Sequence, residues 1–257
     1  MTEKISLKTH KTPHFRNEMD EYAIIHHNGK IIKRIAENLT EVENIENKSY
    51  NVISGKYKNK KITLIETGMT AGNTAIVVDQ VISQGAKYIF KLGTFGALQE
   101  NIKIGDIYIP NGAIRSEGLT DAYAPIYFPA IPDSELFLKI NSKSKELNIT
   151  VNSGIIHSVN IYSPYYLETF NSDKYSYNQY KKIGAFGVEM EVSTTFVCSL
   201  VKNAKAIAIL ICNRDWETQK KFIIGEEVNW DKHKEEIKKN IATDNSIKLI
   251  LETINEL

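Results

Sequence analysis

The chain reads as a single α/β domain over residues 1–257. Three observations carry that expectation. Short apolar runs recur along the chain, several nearly continuous, as in strands buried on both faces. Segments with helical spacing fall between them. No repeat, low-complexity tract or linker interrupts the alternation.

Taken in order, Tyr22 to Ile25 is the first strand and Ile31 to Asn38 the first helical segment. Lys61 to Ile65 is the next strand and Asn73 to Gln84 the next helix. Gly85 follows at the place where a helix end wants positive φ. Tyr88 to Leu92 and Asp106 to Ile114 read as strands, and Ser134 to Leu147 as a helix. Gly154 to Val159 is a strand, Val192 to Lys202 a helix and Ala206 to Cys212 a strand. The tail, Asp231 to Leu257, reads as two helical segments divided near Asp244-Asn245-Ser246, a cluster suited to an N-cap.

Composition narrows the function. A hydrophobic fraction of 42% with 32 Lys and Arg against 31 Asp and Glu fits an ordinary globule. A net charge of +1 supplies no footprint for nucleic acid or an anionic membrane. The lysine runs Lys56 to Lys61 and Lys234 to Lys239 are expected at the surface. Cys198 and Cys212 lack metal-ligand spacing and read as small core residues. Met1 to Arg16 has no apolar signal core, and no stretch approaches the roughly 20 apolar residues of a membrane span. A cytoplasmic protein is expected.

Val188-Glu189-Met190-Glu191 sets two carboxylates in apolar and small surroundings. Charges beside buried surface need partners. A ribose diol would supply paired hydroxyls, while a plain helix start, where Glu favours the positive end of the dipole, is the alternative. Glu66 to Thr74 leaves a strand and opens a helix with small residues, so its backbone N–H groups are open to an anion. Lys91-Leu92-Gly93-Thr94-Phe95-Gly96-Ala97 ends a strand with a cation, a hydroxyl and two glycines, readable as a phosphate cradle or as a glycine-rich turn. His26, His27 and His157 do not suggest a metal site.

In this order the segments resemble the nucleoside phosphorylase-I superfamily of purine nucleoside and uridine phosphorylases. The resemblance rests on Thr12-Pro13-His14-Phe15, Gly85-Ala86-Lys87 through Gln99, Ile104-Gly105-Asp106-Ile107 and Val188 to Glu191, and runs over nearly the whole chain. Arg115 to Gly118, Tyr123 to Ala130 and Asn213-Arg214 look closer to the uridine branch. Purine enzymes usually carry Ser-Asp at that last position; here Asp215 comes one place later.

The resemblance implies a central twisted mixed β-sheet flanked by helices, and a homo-oligomer, a hexamer built as a trimer of dimers. It implies Glu191 on the ribose hydroxyls, Met190 under the sugar, Glu189 supporting the loop and Met69 in the sugar pocket. Thr94 and Lys91 would hold phosphate, with His14 and Lys48 reaching a neighbouring subunit's site. Arg214, beside Asn213, would approach the base carbonyl, and the aromatic run around Tyr162 would flank the base. The implied reaction is phosphorolysis of a ribonucleoside, uridine favoured, to ribose-1-phosphate and free base. Inorganic phosphate is the co-substrate, and no organic cofactor or metal is called for. A purine nucleoside phosphorylase, a nucleosidase and a silent nucleoside-binding protein are the alternatives.

Three departures stand out. His26-His27-Asn28-Gly29-Lys30-Ile31 replaces the family's Gly-Asp-Pro-x-Arg phosphate loop, with Ile31 at the arginine's register and Lys30 or Lys33 able to substitute only if the loop shifts. Lysine replaces arginine at 91 and 48, which keeps charge but loses the bidentate fork. Tyr162 to Glu168 lacks the Gln and Arg that read uracil.

Overall fold

The computed structural model describes residues 19–47, 49–160, 177–223, 226–227 and 241–257. All six expected strands form: β1 (Tyr22–His26), β4 (Lys60–Glu66), β5 (Tyr88–Ala97), β6 (Ile107–Arg115), β7 (Asn152–Ser158) and β9 (Lys205–Arg214). Three more join them: β2 (Thr40–Ile45), β3 (Val52–Tyr57) and β8 (Gly187–Glu189). The described helices are α1 (Gly29–Ala36), α2 (Ala71–Ser83), α3 (Ser134–Glu146), α4 (Tyr177–Lys182), α5 (Val192–Val201), α6 (Trp216–Ile223) and α7 (Ala242–Asn255). A short 3-10 turn spans Leu119–Ala122.

The strands make one mixed sheet in the order β2-β3-β4-β1-β5-β8-β7-β6-β9, and β9 also pairs with β5. β1 lies parallel to β4 and β5, while β2, β3 and β4 form an antiparallel arm. The extra pairing closes β5, β8, β7, β6 and β9 into a five-stranded ring. β5 makes this possible by its length. One edge meets β1 through Tyr88 to Lys91 and then β8 through Gly96 and Ala97, while the other follows β9 from Tyr88 to Gly96.

Strands buried on both faces deliver alternate residues to two apolar layers. Ala23, Ile25, Ile65 and Ile89 pack with Val77, Val78 and Val81 of α2 and with Val192, Phe196 and Val197 of α5. Ile24, Leu64 and Phe90 pack on the other side with Ile32 and Ile35 of α1, Ile140 of α3 and Ile250 and Ile254 of α7. Cys198 and Cys212 are free and buried in the first layer. Helix α5 is buried all round from Val192 to Ser199, which fits its lack of any charged residue.

Gly85 takes φ +120° after α2; its N–H reaches the Ile82 carbonyl and the Ala86 N–H reaches that of Val81. That is the Schellman pattern expected of a glycine there. Two sequence expectations need correction. Lys91 to Ala97 is neither loop nor turn, because β5 runs through it to Ala97. Asp244, Asn245 and Ser246 lie inside the start of α7 rather than ahead of it, and Asp244 pairs with Arg34 of α1 at 2.7 Å instead of capping. No helix among the described residues is long and apolar enough to cross a membrane.

Candidate active site

Where the ring meets β1, segments far apart in sequence line one cleft. Its walls include His27 after β1, Met69 before α2, Thr94 to Gly96 of β5, Val188 to Glu191, Tyr177, and Asn213 and Arg214 ending β9. Of the residues singled out from sequence, Met69, Thr94, Glu189, Met190, Glu191, Asn213 and Arg214 therefore converge. His14, Lys48 and Tyr162 lie outside the described residues. Lys91 is near but is not in the wall; it is 2% exposed, behind Glu191.

The two carboxylates of Val188-Glu189-Met190-Glu191 have different work. β8 ends at Glu189, whose carboxylate accepts the backbone N–H groups of Glu191 at 2.7 Å and Val192 at 2.9 Å, and the Ser158 hydroxyl. Ser158 Oγ in turn accepts the Ser193 N–H at 3.0 Å, and Ser193 Oγ donates to buried Glu117 at 2.8 Å. Glu189 thus satisfies the first orphan amides of α5. Burial, and then the neighbouring Glu191 charge, raise its pKa above the usual carboxylate range.

Glu191 is held from two sides. Its Oε1 accepts the Thr70 N–H at 3.0 Å, and its Oε2 pairs with Lys91 Nζ at 3.1 Å. Burial alone would raise its pKa, but the Lys91 ammonium, the Thr70 N–H and His27 outweigh it and keep the group below the ordinary range. Thr70 gives its hydrogen bond from a strained backbone, φ 90° and ψ 155°, a region essentially reserved for glycine. The amide that sequence reasoning offered to an external anion is therefore spent on a carboxylate of the chain itself.

The opposite side carries Thr94, Asn213 and Arg214. Asn213 Nδ2 donates to Thr94 Oγ1 at 3.3 Å. Arg214 Nε donates to Gln219 Oε1 at 2.7 Å, which fixes the guanidinium from α6. Gln219 reaches that place because Gly96 has no side chain; a Cβ there would collide with the Gln219 amide. Asp215 is not part of the cleft wall and accepts the Thr218 N–H at 2.9 Å, opening α6. The Tyr177 hydroxyl is pushed up to about 12 by burial and stays protonated.

His27, Gln219 and Tyr177 were not expected in the wall. His27 had a signal in the departure from the phosphate-loop pattern. Lys30 and Lys33 are exposed on α1, so the loop has not shifted to bring either one inward. Arg115, Glu117 and the Tyr123 to Ala130 segment build the scaffold: Arg115 donates to the carbonyls of Ala124, Pro125 and Phe128 and to Thr120 Oγ1. Among the described residues no group of His, Cys, Asp and Glu is arranged to hold a metal ion.

Known proteins resemble this chain in sequence and in fold. A sequence model of the phosphorylase superfamily matches residues 21–254. The chain is 27% identical over 203 residues to a guanosine phosphorylase of Halorubrum lacusprofundi, covering 77% of this chain and 81% of that protein. It is 31% identical over 175 residues to a purine nucleoside phosphorylase of Plasmodium falciparum, covering 66% and 69%. It is 24% identical over 246 residues to a uridine phosphorylase of Treponema pallidum, covering 94% and 91%. The fold superposes on a crystal structure of uridine phosphorylase from Vibrio fischeri with a TM-score of 0.80 at 23% identity, covering 95% of this chain and 97% of that one. This chain belongs to the phosphorylase superfamily, an enzyme family whose members found here, the uridine and purine nucleoside phosphorylases, are pentosyltransferases.

Proposed function

We propose that the protein is a nucleoside phosphorylase, with uridine as the favoured substrate, that uses inorganic phosphate to release the base and form ribose-1-phosphate. The observation that carries this reading is the convergence of Met69, Thr94, Met190, Glu191, Asn213 and Arg214 on one cleft. A Glu191 held ionised beside the sugar suits both the diol and the positive charge that develops at C1′ in an oxocarbenium-like transition state. Phosphate attacks C1′ as the glycosidic bond opens, and Arg214, braced by Gln219, takes up charge on the departing base carbonyl. No organic cofactor or metal enters the scheme.

Preference for a pyrimidine draws support from Asp215. A purine leaving group is helped by an acid near its ring, and this carboxylate is committed to the start of α6. The same reading carries a homo-oligomer, a hexamer, in which His14 and Lys48 reach a neighbouring copy's cleft, and a cytoplasmic setting.

One observation favours a second reading. Lys91 is paired with Glu191 and buried, so a charge that would draw phosphate is already neutralised. Hydrolysis, with water in place of phosphate, then becomes the rival. Product analysis on uridine, inosine, guanosine and adenosine, with and without phosphate, decides between them. We expect ribose-1-phosphate, only with phosphate, and fastest from uridine. Free ribose formed equally fast without phosphate would establish the nucleosidase, and faster purine turnover would move the substrate. Light scattering on the same samples should show an oligomer; a fully active species at the 29.2 kDa chain mass would remove shared sites.

A further inference from the structure

His27 occupies a singular position. Its imidazole lines the cleft, and neither ring nitrogen is hydrogen-bonded to a described residue. It is nonetheless held in place. The ring stacks on His26, centroids 4.4 Å apart and planes inclined by 27°. His26 is 4% exposed and is itself fixed by the Asn28 N–H, which donates to its Nδ1 at 2.9 Å. Asn28 in turn caps α1 by accepting the Lys30 N–H. A polar ring that is oriented from behind and meets no hydrogen-bond partner among the described residues in front is arranged for a ligand rather than for the fold.

The groups around it define what that ligand can be. His26 on β1, Glu66 at the end of β4, Lys91 on β5 and Glu191 ahead of α5 all act on His27. Burial and Lys91 lower its pKa, against the opposing pull of Glu191 and Glu66, so the ring is neutral at neutral pH. It then offers one N–H donor and one lone pair. Monoanionic phosphate, with P–O acceptors and a P–OH donor, matches that pair. It also meets less repulsion from Glu66 and Glu191 than the dianion would.

We propose that His27 hydrogen-bonds the attacking phosphate in this cleft, taking the place of the arginine that the His26 to Ile31 segment lacks. The inference rests on the phosphorolytic reading above and deepens it. A donor supplied by a neutral ring, rather than by a guanidinium fork, gives a weak, directional phosphate site.

The test is steady-state kinetics of His27→Ala and His27→Gln, varying phosphate and nucleoside separately, with a thermal melt of each variant. Loss of one hydrogen bond to a charged ligand should raise the phosphate KM of His27→Ala by roughly tenfold or more. The nucleoside KM should stay within about twofold, since that change would reflect only indirect effects. His27→Gln keeps a donor and an acceptor and should recover part of the loss. Should His27→Ala fail to fold, the His27→Gln phosphate KM still reads the proposal. An unchanged phosphate KM in the folded variants, or equal rises in both KM values, would overturn the role of His27 while leaving phosphorolysis intact. Wild-type turnover that ignores phosphate would overturn both.

Discussion

The carboxylates and the imidazoles in and behind the cleft are kept buried by opposite means. On the carboxylate side, Glu189 is closed by backbone amides and a serine, and Glu191 by Lys91 and the Thr70 N–H. Charge survives on Glu191 because partners were built for it. The imidazoles are kept differently: His26 and His27 stack on each other, and His157, fully buried behind the cleft wall and opposite Val188 across β7 and β8, stacks on Tyr180 at 3.6 Å. Neither nitrogen of His157 finds a partner among the described residues. These rings survive by staying neutral. The contrast separates the fixed charge of Glu191 from neutral rings, of which His27 reaches the cleft wall.

The largest expected effect comes from breaking the carboxylate side. Lys91→Met leaves Glu191 buried without its cation and should cost about 3–5 kcal/mol of stability. Glu191→Gln alone orphans the ammonium and also removes the charge that we propose faces the sugar, with an expected kcat/KM loss of tenfold or more, about 1.4 kcal/mol. The double variant should be more stable than the sum of the two losses implies, while its activity stays low. Chemical denaturation of all four proteins measures the coupling. Strict additivity would mean the pair contributes no coupling to stability.

Acid sharpens the imidazole side. Burial lowers the His157 pKa to about 3. Its ordinary value is about 6.5, so below that pH the unfolded chain binds more protons. Stability should therefore fall as pH drops from about 6.5 toward 3. At pH 5 this single ring accounts for roughly 2 kcal/mol at about 1.4 kcal/mol per unit. His157→Leu should flatten that acid limb in unfolding curves recorded from pH 7 to 4. An unchanged pH slope would place the proton uptake elsewhere.

The smallest effect concerns the backbone that supports Glu191. Thr70 at φ 90° stores about 1–3 kcal/mol of strain, against about 1 kcal/mol of entropy that a glycine would lose on folding. Thr70→Gly should raise stability by about 1 kcal/mol in thermal unfolding, whereas Thr70→Ala, still carrying a Cβ, should not. A destabilised glycine variant would show that the threonine side chain contributes more than its backbone costs.

What the sequence disclosed follows from how each element is buried. Tyr22 to His26 and Lys205 to Arg214 are covered on both faces, so their apolar runs announce strands. Thr40 to Ile45 is a mostly exposed, polar edge strand that burial never had to pattern. Gly187 to Glu189 is three residues long, too short for any period to emerge. Gly93 and Gly96 suggested a turn within β5, but Gly96 is small because the Gln219 side chain crosses it. The motif residues of the cleft were legible as a resemblance. The Lys91 to Glu191 pair was not, since the residues are 100 positions apart and each could be given a ligand instead. His27 was visible only as a departure from the family pattern, and its place in the wall depends on a stack with His26 that no spacing encodes.

The closed circuit of β5, β8, β7, β6 and β9 has a mechanical consequence for the enzyme. Glu189 is tied to Thr94 directly through the β5 and β8 contact, and again the long way round through β7, β6 and β9. Two independent routes fix the same distance, so sliding any one strand must tear at least two seams. Adaptation of this cleft to a new nucleoside is thus confined to side chains and to the segments entering and leaving the circuit, because the frame has no free end to adjust.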